Sequence, residues 1–151
     1  MSDQYAATGA QDVTTASPGD SSLGIEGDVV VRGKIYDAVV GQGGAPADNV
    51  IAWLVRRATT TGTSTPVTGQ PLDDAAPTVI LSAGEDHSVE PTMAAGSELL
   101  DFPLNQRATF RWVVAPNGEI WVSASATDAI IFTAISTAYV LSAEATAHWT
   151  E

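Results

Sequence analysis

Residues 108–125 read ATFRWVVAPNGEIWVSAS, and this stretch decides the fold class. Phe110, Trp112 and Val114 alternate with Thr109, Arg111 and Val113, the period of two that sends successive side chains to opposite faces of a sheet. Beyond Ala115-Pro116-Asn117-Gly118, Ile120 and Val122 alternate with Glu119, Trp121 and Ser123. Pro116 suits the second position of a type I turn and Asn117 the third, with Gly118 left-handed in a G1 bulge; a tight Asn117-Gly118 turn is the alternative, and both predict a β-hairpin. On this hairpin Trp112 shares a face with Phe110 and Val114 and belongs to the core. Trp121 falls on the face opposite Ile120 and Val122. It is either exposed at a protein interface or ligand patch, or covered in a sheet buried on both sides.

Working outward, the same short-strand grammar recurs. GDVVVRG and KIYDAVV read as strands, with Gly33 a bend or bulge between them, and GQGGAPAD (41–48) reads as a loop. Asp48 or Asn49 could cap a helix through NVIAWLVRR, but the β-branched and aromatic content and the Thr-rich continuation favour a strand. PTVILSA reads as a compact buried strand, EDHSVEPT as a short one closed by Pro91, and AIIFTAI as another. In TAYVLSAEATAHW, Tyr139, Leu141, Ala143, Ala145 and Ala147 share one face, and the small alanines imply close approach of another backbone or sheet. About nine or ten short strands without a convincing helix predict an all-β protein, a single β-sandwich or jelly roll over 27–151.

Residues 1–26 differ from the rest. They hold no Lys or Arg, four acids, and only scattered large apolar residues, Tyr5, Val13, Leu23 and Ile25. Such a segment cannot offset its own ordering entropy, so it is expected to be an extended N-terminal arm, held by its own domain's surface, a second subunit or a larger assembly. Those four residues are its candidate interface anchors.

Composition narrows the function further. The chain has 151 residues, suited to one core, and no cysteine, so neither a disulfide framework nor a thiolate metal site is expected. The start lacks the basic and apolar regions of a signal peptide, and no apolar run approaches the roughly 18 residues of a membrane span. Six Lys and Arg against 18 Asp and Glu give a net charge of −12, which makes nucleic acid and membrane surfaces poor partners. Arg56-Arg57 is the one adjacent basic pair and reads as a solvated strand end. His87 and His148 lack ligand-spaced partners, and Asp73-Asp74 and Glu85-Asp86 lack the alternating ligands of a calcium loop, so no metal is expected. There is no nucleophile elbow and no phosphate-binding glycine loop, so neither catalytic residues nor a cofactor site are assigned.

The segments LNQRATFRWVVAPNGEIWVSASATD and AISTAYVLSAEATAHWTE resemble small virion proteins of tailed bacteriophages that decorate or cement the capsid exterior. The shared pattern is N-Q-R-A-x-F-R-W-V-x-A-P, a following G-E-I, and a small-residue strand running to an acidic C-terminus. It spans about residues 104–151, with Trp121 a departure where a small or aliphatic residue would stand. The resemblance implies a structural protein rather than an enzyme, with no cofactor. It would bind the major capsid protein and copies of itself as a homotrimer, and reside on the virion surface after assembly in the host cytoplasm. The alternatives are a head–tail or fibre-associated virion protein, or a carbohydrate- or receptor-binding β-sandwich module.

Overall fold

Alternating apolar residues need a partner face to cover them, and here two antiparallel sheets supply it for each other. A computed structural model describes residues 2–14 and 19–151. The strands are β1 (Gln4–Val13), β2 (Asp20–Glu26), β3 (Lys34–Gln42), β4 (Val50–Ala58), β5 (Thr63–Val67), β6 (Gln70–Pro71), β7 (Ala83–Val89), β8 (Met93–Asn105), β9 (Phe110–Val113), β10 (Ile120–Trp121), β11 (Ala129–Ile135) and β12 (Val140–Thr150). One sheet runs β10-β3-β12-β1-β6 with β9 also on β3, and the other runs β5-β7-β2-β11-β4-β8. No helix occurs among the described residues, and the molecule is an all-β sandwich.

The inner faces meet in one core. Tyr5, Ala7 and Val13 of β1, Ile35, Ala38 and Val40 of β3, and Ala143, Ala145, Ala147 and Trp149 of β12 face Leu23, Ile25, Ile51, Trp53, Val55, Ile130 and Phe132 of the opposite sheet. The alanines leave space for those larger side chains, which is the close approach that their sequence implies. Tyr5 stacks on Trp149 at 6.1 Å between ring centroids and donates its hydroxyl to the Pro77 carbonyl at 2.9 Å. Burial raises the Tyr5 pKa, helped by the Glu151 charge.

Four expectations are corrected by these contacts. The N-terminal segment is not an arm: β1 lies between β12 and β6, and β2 between β7 and β11, each inside a sheet. Tyr5, Val13, Leu23 and Ile25 are core residues, fully enclosed by their own chain. Residues 15–18, which belong to the expected arm, lie outside the described residues. The low density of apolar residues in 1–26 is offset by small ones at the alternate positions Ala7 and Gly9, where a Cβ on Gly9 would stand 2.4 Å from the Ser22 carbonyl oxygen.

The second correction concerns residues 108–125. β9 and β10 do not pair with each other; both lie antiparallel to β3, through Phe110↔Val40 to Val113↔Asp37 and through Ile120↔Ile35 and Trp121↔Lys34. They are one edge strand interrupted by a turn. Val114 N–H donates to the Tyr36 carbonyl at 3.1 Å and Val122 N–H to that of Gly33 at 2.9 Å, so both flanks stay on β3. Gly118 N–H closes the turn on the Ala115 carbonyl at 3.0 Å, but it is Asn117 that is left-handed, with φ of +71°. A left-handed third residue makes this a type II turn rather than type I with a bulge.

Third, the valines of GDVVVRG lie in a loop, not a strand. PTVILSA is likewise irregular, its Ile80 and Leu81 N–H groups each bonded at 2.9 Å to the Glu151 carboxylate. Fourth, β12 changes face at Ser142, whose φ is +54°. Gln11 pairs with Ala143 but Val13 with Val140, and this bulge buries Val140 while turning Tyr139 and Leu141 outward.

Candidate functional site

Of the five expected interface residues, four are in the core and one, Trp121, stands at the surface with 38% of its area exposed. Two elements place it. β10 is only two residues long, and Trp121 lies directly across from Lys34 of β3. Cross-strand partners have Cβ atoms about 5 Å apart, so their side chains meet. Lys34 Nζ sits 4.4 Å from the ring centroid and Arg32 Cζ 4.7 Å, cation–π contacts of about 0.5–1 kcal/mol each at an exposed site. A third cation arrives from the other sheet, where Arg57 of β4 donates Nη1 to the Trp121 carbonyl at 2.9 Å.

The loop between β2 and β3 completes the surface. Gly27 N–H donates to the Asp128 carbonyl at 2.8 Å, and a Cβ at Gly27 would stand 2.4 Å from the Ser125 carbonyl oxygen, so this end is tightly seated. The other end is fixed by the Val122–Gly33 bond. Between them the Asp28 carboxylate accepts from Val30 N–H at 2.6 Å. Val29 and Val30 are thereby held 71% and 80% exposed near Arg32, while Val31 turns inward against the core.

Two further polar clusters were not evident from spacing. On the outer face of the first sheet, Asp37 is buried beneath Arg111, whose Nη2 and Nε donate to the two carboxylate oxygens at 2.6 and 3.0 Å. His148 Nδ1 lies 3.2 Å from Asp37 Oδ2 without hydrogen-bonding alignment, and its ring stacks on Tyr36 at 6.2 Å. The Arg111 hydrogen bonds hold the Asp37 carboxyl below the usual carboxylate range, against the opposing effect of burial. A carboxylate saturated by a guanidinium is a poor base, and the pair instead fastens β9 to β3.

A cleft of about 560 Å³ is lined by Ala10, Gln11, Asp12, Thr14, Glu85, Asp86 and Ser142. Two of its carboxylates, Asp12 and Glu85, accept hydrogen bonds that brace neighbouring strands. Asp12 accepts from the Tyr139 hydroxyl at 2.5 Å and from Ser142 N–H at 2.9 Å, bonds that lower its pKa in that order. Glu85 accepts from Ala10 N–H at 2.9 Å. His87 is buried elsewhere, with Nδ1 2.9 Å from the Ser21 carbonyl oxygen. Among the described residues no three His, Asp or Glu side chains converge as metal ligands.

The Trp121 surface thus offers an aromatic ring and three cations together to solvent, with Val29 and Val30 exposed in the loop that carries Arg32. Trp121 was singled out by its position on the strand, but Arg32, Lys34 and Arg57 were not, because their meeting depends on β10 pairing with β3 and on the two sheets meeting at that edge. Comparison with known proteins finds no matching family model, no matching curated protein and no matching solved structure.

Proposed function

We propose that this chain is a virion structural protein that binds the exterior of a tailed-phage capsid and stabilises it, with the major capsid protein and further copies of itself, as a homotrimer, for partners. The observation that carries a docking role is the Trp121 surface, an exposed indole with Arg32 and Lys34 against its ring and Arg57 on its carbonyl, and with Val29 and Val30 exposed in the loop that carries Arg32. Trp and Arg dominate the residues whose loss weakens protein interfaces. The likeness of residues 104–151 to capsid decoration proteins supports this choice of partner and a place on the virion after assembly in the host cytoplasm.

The chemistry of the other clusters favours binding over catalysis, since Asp37, Asp12 and Glu85 are occupied by Arg111, a tyrosine hydroxyl and backbone N–H groups. A protein partner is favoured over a sugar because the close ring pairs are Tyr5–Trp149, Tyr36–His148 and Phe102–Phe110 among the described residues; Trp121 stands among cations, not in a row of rings. Attachment by a folded face replaces attachment by an arm, because the would-be anchors are in the core.

The test is to incubate undecorated capsids with wild-type protein and with Trp121→Ala and to count bound copies. Loss of a central aromatic costs on the order of 2 kcal/mol, so binding is expected to weaken at least about tenfold while circular dichroism stays unchanged. Equal occupancy by both forms at limiting concentration refutes this docking role, and a monomer in sedimentation at all concentrations refutes the homotrimer.

A further inference from the structure

The charges at the Trp121 surface restrict what can sit on it. Half of the six Lys and Arg residues meet at one tryptophan in a chain that carries 18 acids, Arg32 and Lys34 against the Trp121 ring and Arg57 on its carbonyl oxygen. The ion pairs among the described residues involve Arg56 with Glu98 and Arg111 and His148 with Asp37, so none of these three cations has a carboxylate within 4.0 Å. Like charges gathered without a counter-charge are a place where an incoming carboxylate relieves repulsion.

We propose that the Trp121 surface is the docking site for a short acidic segment of a partner protein, its carboxylates received by Arg32, Lys34 and Arg57 and an apolar side chain between them packing on Val29, Val30 and the indole. This rests on the docking role above and adds the chemistry of the partner. The net charge of −12 bears on the length of that segment. A polyanion long enough to run past the patch meets an acidic body and is repelled, whereas a segment confined to about one Debye length, ~8 Å at physiological salt, is not.

The two exposed valines point to protein rather than to an anionic glycan, because they offer aliphatic area for a side chain to cover. The surface is also ready-made. The loop is fixed at Gly27 and Gly33 and braced by Asp28, and Arg57 is held by one N–H to the Trp121 carbonyl, with its remaining N–H groups available. Little ordering entropy is therefore lost on binding.

The experiment uses the full chain and a fluorescein-labelled tetrapeptide with a free C-terminus, Glu-Val-Phe-Asp, whose extended length of roughly 13 Å keeps both ends within about one Debye length of its centre, read by anisotropy, with a version carrying Lys for every acid as control. Expected are saturable binding of the acidic peptide alone, weakening of at least about tenfold between about 50 and about 300 mM NaCl, and loss of at least about tenfold in the Arg32→Glu/Lys34→Glu variant. If that variant loses its native circular dichroism, Arg57→Glu and Trp121→Gln are read in its place. Absence of binding to folded wild-type protein overturns the proposal, as does equal binding by wild type and variant. Tighter binding of heparin than of the peptide also overturns it, by assigning the surface to polyanions, and self-association abolished by Arg32→Glu/Lys34→Glu overturns it in favour of a second copy. Peptide binding that survives while capsid binding fails removes the virion assignment alone; the reverse removes the acidic partner and leaves the docking role.

Discussion

Deleting residues 1–26 is expected to abolish folding, and the size of the effect follows from what those residues touch. Tyr5, Val13, Leu23 and Ile25 are completely buried in the shared core. Burying a large side chain contributes roughly 1.5–3 kcal/mol, so the four account for ~6–12 kcal/mol, comparable with the ~5–15 kcal/mol that separates a folded domain from its unfolded chain. The topology makes the loss worse than the area suggests. Without β1, β6 has no neighbour in its sheet; without β2, β5 and β7 separate from β11, β4 and β8. The assay is to purify residues 27–151 and follow urea unfolding by circular dichroism, alongside full-length Leu23→Ala, which alone is expected to cost about 2–5 kcal/mol. A truncated chain that unfolds cooperatively near the midpoint of the full chain would refute this account and restore an independent arm.

At the turn, Asn117→Val is expected to destabilise by about 1 kcal/mol or more and Asn117→Gly to be neutral or stabilising, since residue 117 is the left-handed one; Gly118→Val, which has only to displace the Val114 side chain 2.7 Å away, should cost less than Asn117→Val. Thermal melts giving the opposite order would mean that the turn is assigned wrongly. Acid should destabilise the protein through Asp37 and Asp12, whose folded pKa values are depressed. Their contribution is complete above the ordinary carboxylate range near pH ~4 and is lost as pH falls through the folded values, while Glu26, raised by burial, acts in the opposite sense. Asp37→Asn is therefore expected to lower the urea midpoint at neutral pH and to converge with wild type on acidification; parallel curves across that range would rule out the Asp37 contribution.

The period of two identified β9, β10, β4 and β11 as extended chain, because alternation is a local property of the backbone. It could not say which strand each one joins. Phe110 to Trp121 carries every mark of a hairpin, yet the free edge of β3 accepts both halves, and that pairing joins residues 70 or more positions apart. The N-terminal strands were hidden because their inward positions are filled partly by Ala7 and Gly9, which add little apolar bulk to the segment and still pack where two sheets come close. The three valines at 29–31 misled in the other direction, for the glycines on either side hold them in a loop. In β12 the alternation is real on each side of Ser142 but changes face there, and nothing in TAYVLSAEA marks a left-handed serine. The Trp121 surface was legible only as its tryptophan, since its cations are gathered by cross-strand and cross-sheet pairing.

The excursion of residues 114–119 from the edge of β3 has a bearing on how the molecule can change over time. Ala115 to Gly118 are exposed, and the chain on either side is anchored independently through Val114 and Val122. Lengthening the excursion therefore leaves the register of every strand untouched, and doubling a loop's length costs only about 0.6 kcal/mol of closure entropy. An inserted peptide or small domain would emerge on the same edge as Trp121, so the position offers a port through which a binding specificity could be grafted without disturbing the fold.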